Sequence, residues 1–189
     1  MEEDPGRARR MLLNLTGYLR GSLRRTRSGA TTLGEELDLV RAYLEIQEVR
    51  MGERLAFDIR CPEPLRDRPL PPLLLQPLVE NALRHGLEPR VEGGRVTVSA
   101  VRAGDALVLE VQDDGAGIDL HRPPGVGLAN VRERVRAISG GAGSLTLQPV
   151  VPSGLCARIV IPWDMPGPAA TGAGAAGGDA AGVTTGGRA

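Results

Sequence analysis

Three polar groups gathered on one apolar segment raise the question of function. Leu73 to Gly86, LLLQPLVENALRHG, reads as a helix that carries Asn81, Arg84 and His85. With about 3.6 residues per turn, positions i, i+3 and i+4 share one side of a helix, so a carboxamide, a cation and an imidazole project together. The Asn81 oxygen can ligate a Mg²⁺ held mainly by phosphates and waters, and Arg84 offers charge to phosphate oxygens. His85 either lines the same pocket or caps the helix C-terminus, where an imidazolium is favoured. Glu80 is a tempting base. It lies about 100° around the helix from Asn81 and four residues before Arg84, which suits a surface ion pair better than catalysis.

Two glycine-rich segments extend the same chemistry. Asp113 ends a strand pattern and runs into DGAGID, where Gly115 and Gly117 free the backbone to turn sharply. A carboxylate fixed there can accept a hydrogen bond from the exocyclic amine of a purine while the glycines let a flat ring approach. The plain alternative is an acidic turn. Asp114 occupies the variable position and is expected to be solvated. In GVGLAN, Gly125 and Gly127 precede a helix expected from Leu128, an arrangement whose N–H groups bind phosphate; the plain alternative is a glycine start to a helix. Neither a GK[ST] loop nor a GxGxxG fingerprint is present, so any ATP site belongs to a different fold.

The elements that must hold these groups follow from periodicity. Arg7 to Arg27 has seven arginines and no acid, with Leu12, Leu15, Leu19 and Leu23 at helical intervals, which predicts a basic amphipathic helix suited to pairing with another helix. Ser28 to Ala30 breaks the pattern. Thr32 and Glu35 form a capping box opening a second helix with Leu33, Leu37, Val40 and Leu44 on one stripe, ending near Gly52. RLAFDIR at Arg54 to Arg60 alternates as a half-buried strand. The Asn81 helix is expected to start near Leu73 or Leu74, which leaves Pro77 in the first turn, where its missing N–H costs little. RVTVSAVR and ALVLEVQ, joined at Gly104 and Asp105, predict an antiparallel pair. Leu120 to Pro124 is a loop; Leu128, Val131, Val135 and Ile138 form the next helix's buried stripe, ended by Gly140, Gly141 and Gly143. Two strands follow, near Ser144 to Gln148 and Cys156 to Ile161. The Gly/Ala-rich residues 164–189 offer little apolar bulk and are expected to be disordered.

Composition sets the bounds. A chain of 189 residues with 23 cations, all arginine, and 23 acids has no net charge, which argues against a general affinity for nucleic acid or anionic membrane. Cys61 and Cys156 lack metal or redox spacing and read as buried or half-buried thiols. No run approaches the roughly 18 apolar residues of a membrane helix. A cytoplasmic location is the expectation, with no membrane segment in this chain.

In order and spacing, LVENALRHG, DDGAGID and GVGLANVRERV resemble the N, G1 and G2 boxes of the ATP-binding domain shared by histidine kinases, gyrase, the ninety-kilodalton heat-shock chaperone and MutL. PLPPLLLQPLVENALRHG, GVGLANVRERV and TTLGEELDLVRAYLEIQEVRMGERL are similar to the forms found in LytS-like sensor histidine kinases. The resemblance covers roughly Arg7 to Pro162. It implies an α/β sandwich, a mixed and mostly antiparallel sheet packed against helices, preceded by a helical segment. Residues 1–30 would be the remnant of a dimerisation hairpin, 31–163 the ATP-binding domain and 164–189 the tail. The cofactors implied are ATP and Mg²⁺: Asn81 as metal ligand, Arg84 as phosphate contact, His85 among the ATP-binding residues, Asp113 as adenine reader, Gly115 and Gly117 as floor, and Gly125, Gly127 and the Leu128 to Asn130 turn around the phosphates. The implied partners are a response regulator and a second copy, or a complete kinase, paired through the N-terminal helix; a membrane anchor on the parent kinase is compatible with the resemblance.

Three departures qualify that picture. Hydrolytic relatives carry a glutamate four residues before the box asparagine, where this chain has Pro77, so hydrolysis is expected to be slow. The family's acceptor histidine lies in a segment resembling PHFLFN, whereas the histidines here are His85 and His121. Arg7 to Arg27 resembles the hairpin's second helix without its first. The chain thus reads as the C-terminal part of a kinase whose acceptor histidine is elsewhere. A regulatory, anti-sigma-like ATP-binding module is the alternative, with Pro77 against it.

Overall fold

Thr32 starts the first helix as its capping box requires: its hydroxyl accepts the Glu35 N–H at 3.2 Å, and the Glu35 carboxylate accepts the Thr32 N–H at 3.0 Å. The computed structural model describes residues 31–117 and 125–164. The basic helix expected over Arg7 to Arg27, the loop at Leu120 to Pro124 and the tail lie outside the described residues. A two-residue strand, β1 (Thr31–Thr32), precedes helix α1 (Leu33–Met51), which ends at Gly52 with positive φ. Leu33, Leu37, Val40 and Leu44 are all buried on one stripe.

Strand β2 (Leu55–Arg60) follows, and β3 (Pro69–Leu70) returns to pair antiparallel with β1. Helix α2 (Gln76–Asn81) continues without a break into a π-helical stretch, Ala82–Leu87. Strands β4 (Gly94–Ala103) and β5 (Ala106–Asp113) form the hairpin expected around Gly104 and Asp105. Helix α3 (Val126–Ile138), β6 (Ser144–Pro149) and β7 (Leu155–Pro162) complete the described chain. The sheet order is β2-β4-β5-β7-β6, with β2 parallel to β4 and every other pairing antiparallel. Alternate residues, among them Val96, Val98, Leu107, Leu109, Ile159 and Ile161, are buried and join the helices' apolar stripes in one core. The opposite face is more open and carries the Glu110–Arg158 pair at 2.5 Å. The result is a two-layer α/β sandwich.

Two element boundaries differ from expectation for identifiable reasons. Helix α2 starts at Gln76 rather than Leu73 or Leu74, because Leu73 adopts φ +62° and the N–H groups of Leu73, Leu74 and Leu75 all go to the buried carboxylate of Glu36 on α1. Pro77 still falls in the first turn. Helix α3 starts at Val126, two residues earlier than expected, with Gly125 as its N-cap, so Gly127 lies inside the first turn rather than ahead of it.

Candidate functional site

The end of β5 is tightly built. Asp113 is only 2% exposed, and its Oδ1 accepts the Gly115 N–H at 3.0 Å. Burial pushes its carboxyl up to about 6, while hydrogen bonds from the Gly115 and Leu155 N–H groups work in the other direction. Gly86, at the end of the Asn81 helix, rests directly on this carboxylate: a Cβ there would stand 2.5 Å from Oδ1. A Cβ on Gly115 would stand 2.3 Å from the Gly86 carbonyl, and the Ala116 N–H donates to that carbonyl oxygen at 2.9 Å. Gly154, between β6 and β7, has φ +119° and comes so close that its Cβ would lie 2.0 Å from the Asp113 oxygen. Gly117, at φ +79°, closes the turn next to it.

Asp114 is exposed, as expected, but it is also anchored. Its Oδ1 accepts the Arg95 N–H at 2.7 Å, and its carbonyl accepts from the Arg90 guanidinium at 2.6 Å and the Ser153 hydroxyl at 3.3 Å. The variable position of the motif is therefore a peg that holds the turn to β4.

The π turn rearranges the polar groups of the opening segment. The Glu88 N–H donates to Leu83 O at 2.8 Å, five residues back, and in such a widened helix position 81 lies over 86 rather than over 84. Asn81 thus shares the side that carries Gly86 to Asp113. It is half-buried, with no side-chain partner among the described residues. His85 is exposed beside it. Arg84 turns the other way and lines a cavity of about 240 Å³ between α1 and α2, together with Tyr43, Gln47, Arg50, Glu80, Leu83 and Glu88. The expectation that all three share one face assumed regular α-helical turns. Glu80 does not pair with Arg84 either: its Oε1 accepts from the Gln76 amide at 2.7 Å, one regular turn back, before the π stretch begins.

Helix α3 opens on an exposed first turn. Gly125, Val126, Gly127, Ala129 and Asn130 are exposed, Leu128 is buried, and among the described residues no side chain caps the leading N–H groups. Leu128 can therefore offer a ligand only its main chain. Gly127 faces Pro77 of α2, 3.8 Å from its Cβ position, so the two helices begin side by side. Among the described residues no three His, Cys, Asp or Glu side chains cluster as a metal site. A cation at Asn81 would have to bring most of its own oxygen ligands, which fits Mg²⁺ carried by phosphates. The cradle around Asp113 and the Asn81 amide, without a partner among the described residues, thus both fit a nucleotide with its metal.

Three contributors are not among the site residues expected from the sequence. Glu36 fixes the loop before α2, Gly154 makes room beside Asp113, and Arg134 of α3 donates to the carbonyls of Pro72 and Leu73. A signal existed for Glu36, an acid set among Leu33, Leu37 and Val40 on the buried side of α1. Gly154 belongs to none of the motifs picked out along the sequence.

A helix layer over a mixed sheet, with the helical segment of Asn81 docked on a strand-end carboxylate, defines the class. Residues 67–165, more than half of the chain, match the family described as Histidine kinase-, DNA gyrase B-, and HSP90-like ATPase, and residues 1–55 match one described as Histidine kinase. The chain belongs to the histidine kinase-, gyrase B- and HSP90-like ATPase family. It is 32% identical over 167 residues to the sensor histidine kinase BtsS of Escherichia coli, covering 86% of this chain and 29% of BtsS. It is 34% identical over 128 residues to the sensor protein LytS of Staphylococcus haemolyticus, covering 68% of this chain and 22% of LytS. The chain thus spans under a third of these relatives. Among solved structures, the histidine kinase domain of the Erythrobacter litoralis EL346 blue-light activated histidine kinase superposes with a TM-score of 0.58 at 20% identity, over 86% of this chain and 76% of that one. Histidine kinase ThkA, solved in complex with response regulator protein TrrA, gives 0.52 at 17% identity, over 80% and 48%.

Proposed function

We propose that this chain is the ATP-binding catalytic part of a two-component sensor histidine kinase, moving the γ-phosphoryl of ATP to a histidine outside this sequence and from there to a response-regulator aspartate. The observation that carries the reading is the buried Asp113 carboxylate, presented by a strand end against two glycines that have no room for a methyl. A carboxylate held there would offer the exocyclic amine of a purine a charged acceptor. Around it, Asn81 would hold Mg²⁺, Gly115 and Gly117 would floor the base, and the first turn of α3 from Gly125 to Asn130 would receive phosphate oxygens. His85 flanks Asn81; Arg84 stands on the α1 side. Bound Mg²⁺ would neutralise charge on the transferring phosphate, and the protein's own contribution is mainly positioning.

Pro77 stands where hydrolytic relatives are expected to have a water-activating glutamate, so direct loss of phosphate to water should be slow. His85 ends the Asn81 helix and His121 lies outside the described residues. Titration with a fluorescent ATP analogue in the presence and absence of Mg²⁺ should show saturable, metal-enhanced binding, and absence of saturable binding contradicts the reading. Incubation with γ-labelled ATP should leave no acid-labile, base-stable label on this chain alone. Such a label would place an acceptor within it.

A further inference from the structure

The helix that carries Asn81 is poorly equipped to hold its own position. Its α-helical part is six residues long, it has no side-chain N-cap of its own, and Pro77 supplies no N–H. The three residues ahead of it carry N–H groups that would otherwise go unsatisfied in the core. All three bond one group: the Glu36 carboxylate accepts from Leu73 at 2.8 Å, Leu74 at 3.0 Å and Leu75 at 3.2 Å. Glu36 is 0% exposed. Leu73 is the one non-glycine residue with positive φ among those described, a conformation that persists only where its surroundings impose it. The same loop is held from the other side, since Arg134 of α3 donates to the carbonyls of Pro72 and Leu73. The opening of α1 is fastened to the approach as well, Leu33 N–H to Arg68 O at 2.8 Å and Gly34 N–H to Arg66 O at 2.7 Å.

We infer that Glu36 is a positioning residue for the Asn81 amide: its carboxylate, delivered from α1, sets where α2 begins and so where the proposed metal ligand points. This rests on the nucleotide reading given above. Glu36 lies at one end of a short rigid path, through Leu73–Leu75 and one and a half helical turns, and Asn81 lies at the other. Substituting glutamine turns one of the accepting oxygens into an N–H donor aimed at N–H groups, while volume is unchanged. The loop must then rotate or open, and α2 moves with it.

The test is a double-mutant cycle on the full chain, reading equilibrium affinity for ATP with and without Mg²⁺ in wild type, Glu36→Gln, Asn81→Ala and the double variant. Partners that orient a metal ligand from outside its coordination shell typically govern metal affinity by roughly tenfold to a hundredfold, so Glu36→Gln should weaken ATP·Mg²⁺ by about tenfold or more. Metal-free ATP should change by less than about twofold, and Glu36→Gln should add nothing once Asn81 is alanine. The ratio of the two affinities is the informative quantity, because any loss of folded protein lowers both equally. Glu36→Asp, which keeps the charge and withdraws it by one methylene, should give the same pattern at smaller size. Equal losses with and without Mg²⁺, or a loss that survives in the Asn81→Ala background, overturns the proposal and leaves Glu36 a purely structural group. Saturable ATP binding that Mg²⁺ and Asn81→Ala leave unchanged overturns it too. A wild type that binds no nucleotide overturns both this and the functional reading.

Discussion

The two ends of the candidate pocket are built to opposite tolerances. At the Asp113 end, three glycines are forced by their neighbours: a Cβ on Gly86, Gly115 or Gly154 would stand 2.5 Å or less from another residue's atoms. At the α3 end, a Cβ on Gly125 meets no described atom within 4 Å, and one on Gly127 meets only Pro77 at 3.8 Å. Glycine thus serves the fold at one end and leaves clearance for a visitor at the other. The Asp113 end, proposed to read the base, is preformed, whereas the α3 end, proposed to receive phosphate, presents N–H groups that no side chain caps among the described residues.

That contrast can be broken by substitution, and the largest effect is expected from the packed glycines. Gly154→Ala, with φ +119° and its Cβ 2.0 Å from Asp113 O, should cost about 3 kcal/mol or more, read as a drop in the denaturant midpoint. Gly86→Ala should follow it closely. Next comes Asp113→Asn, which removes the charged acceptor while keeping its shape; ATP affinity should fall roughly tenfold to a hundredfold, as expected for a charge-assisted hydrogen bond of about 1.5–3 kcal/mol. A midpoint unchanged by Gly154→Ala, or an affinity unchanged by Asp113→Asn, would erase the distinction between the two ends.

Acidity sharpens the same comparison. With the Asp113 carboxyl near 6, the accepting form falls from nearly all at pH 7.5 to about a quarter at pH 5.5, so ATP affinity should drop about fourfold. The domain itself responds with the opposite sign. A carboxyl raised above its unfolded value of 3.8 binds its proton more tightly when folded, so its contribution to stability grows as pH falls from about 6 towards 4. Asp113→Asn should flatten both profiles. Comparable in size, Gly125→Ala should leave stability within about 0.5 kcal/mol and weaken ATP by roughly threefold to tenfold, the worth of about one hydrogen bond. Arg84→Ala should change ATP affinity by no more than about twofold, since its exposed side chain faces α1. A larger loss would return its guanidinium to the phosphates.

What could be read along the chain was whatever is local. The Thr32/Glu35 box, the Leu33–Leu44 stripe, the β4–β5 hairpin and the strand-end position of Asp113 each depend on neighbours a few residues away, and the structure has them all. The boundary of α2 depends instead on Glu36, 37–39 residues upstream of the N–H groups it takes, and no pattern within LLLQPLVENALRHG reveals that. The π stretch is likewise a tertiary matter: Gly86 must reach Asp113, and Ala116 binds its carbonyl. It separates Arg84 from Asn81, which regular helical spacing had put together. Asp114 is exposed as expected, but its anchoring was hidden because its partner, the Arg95 main chain, belongs to the neighbouring strand.

The most direct measurement is a calorimetric titration of this chain with ATP and Mg²⁺, run beside Asp113→Asn at pH 7.5. The account predicts one saturable site in the wild type that Mg²⁺ strengthens and that Asp113→Asn weakens at least about tenfold. No saturable heat in the wild type, or equal affinity in the two proteins, would contradict it.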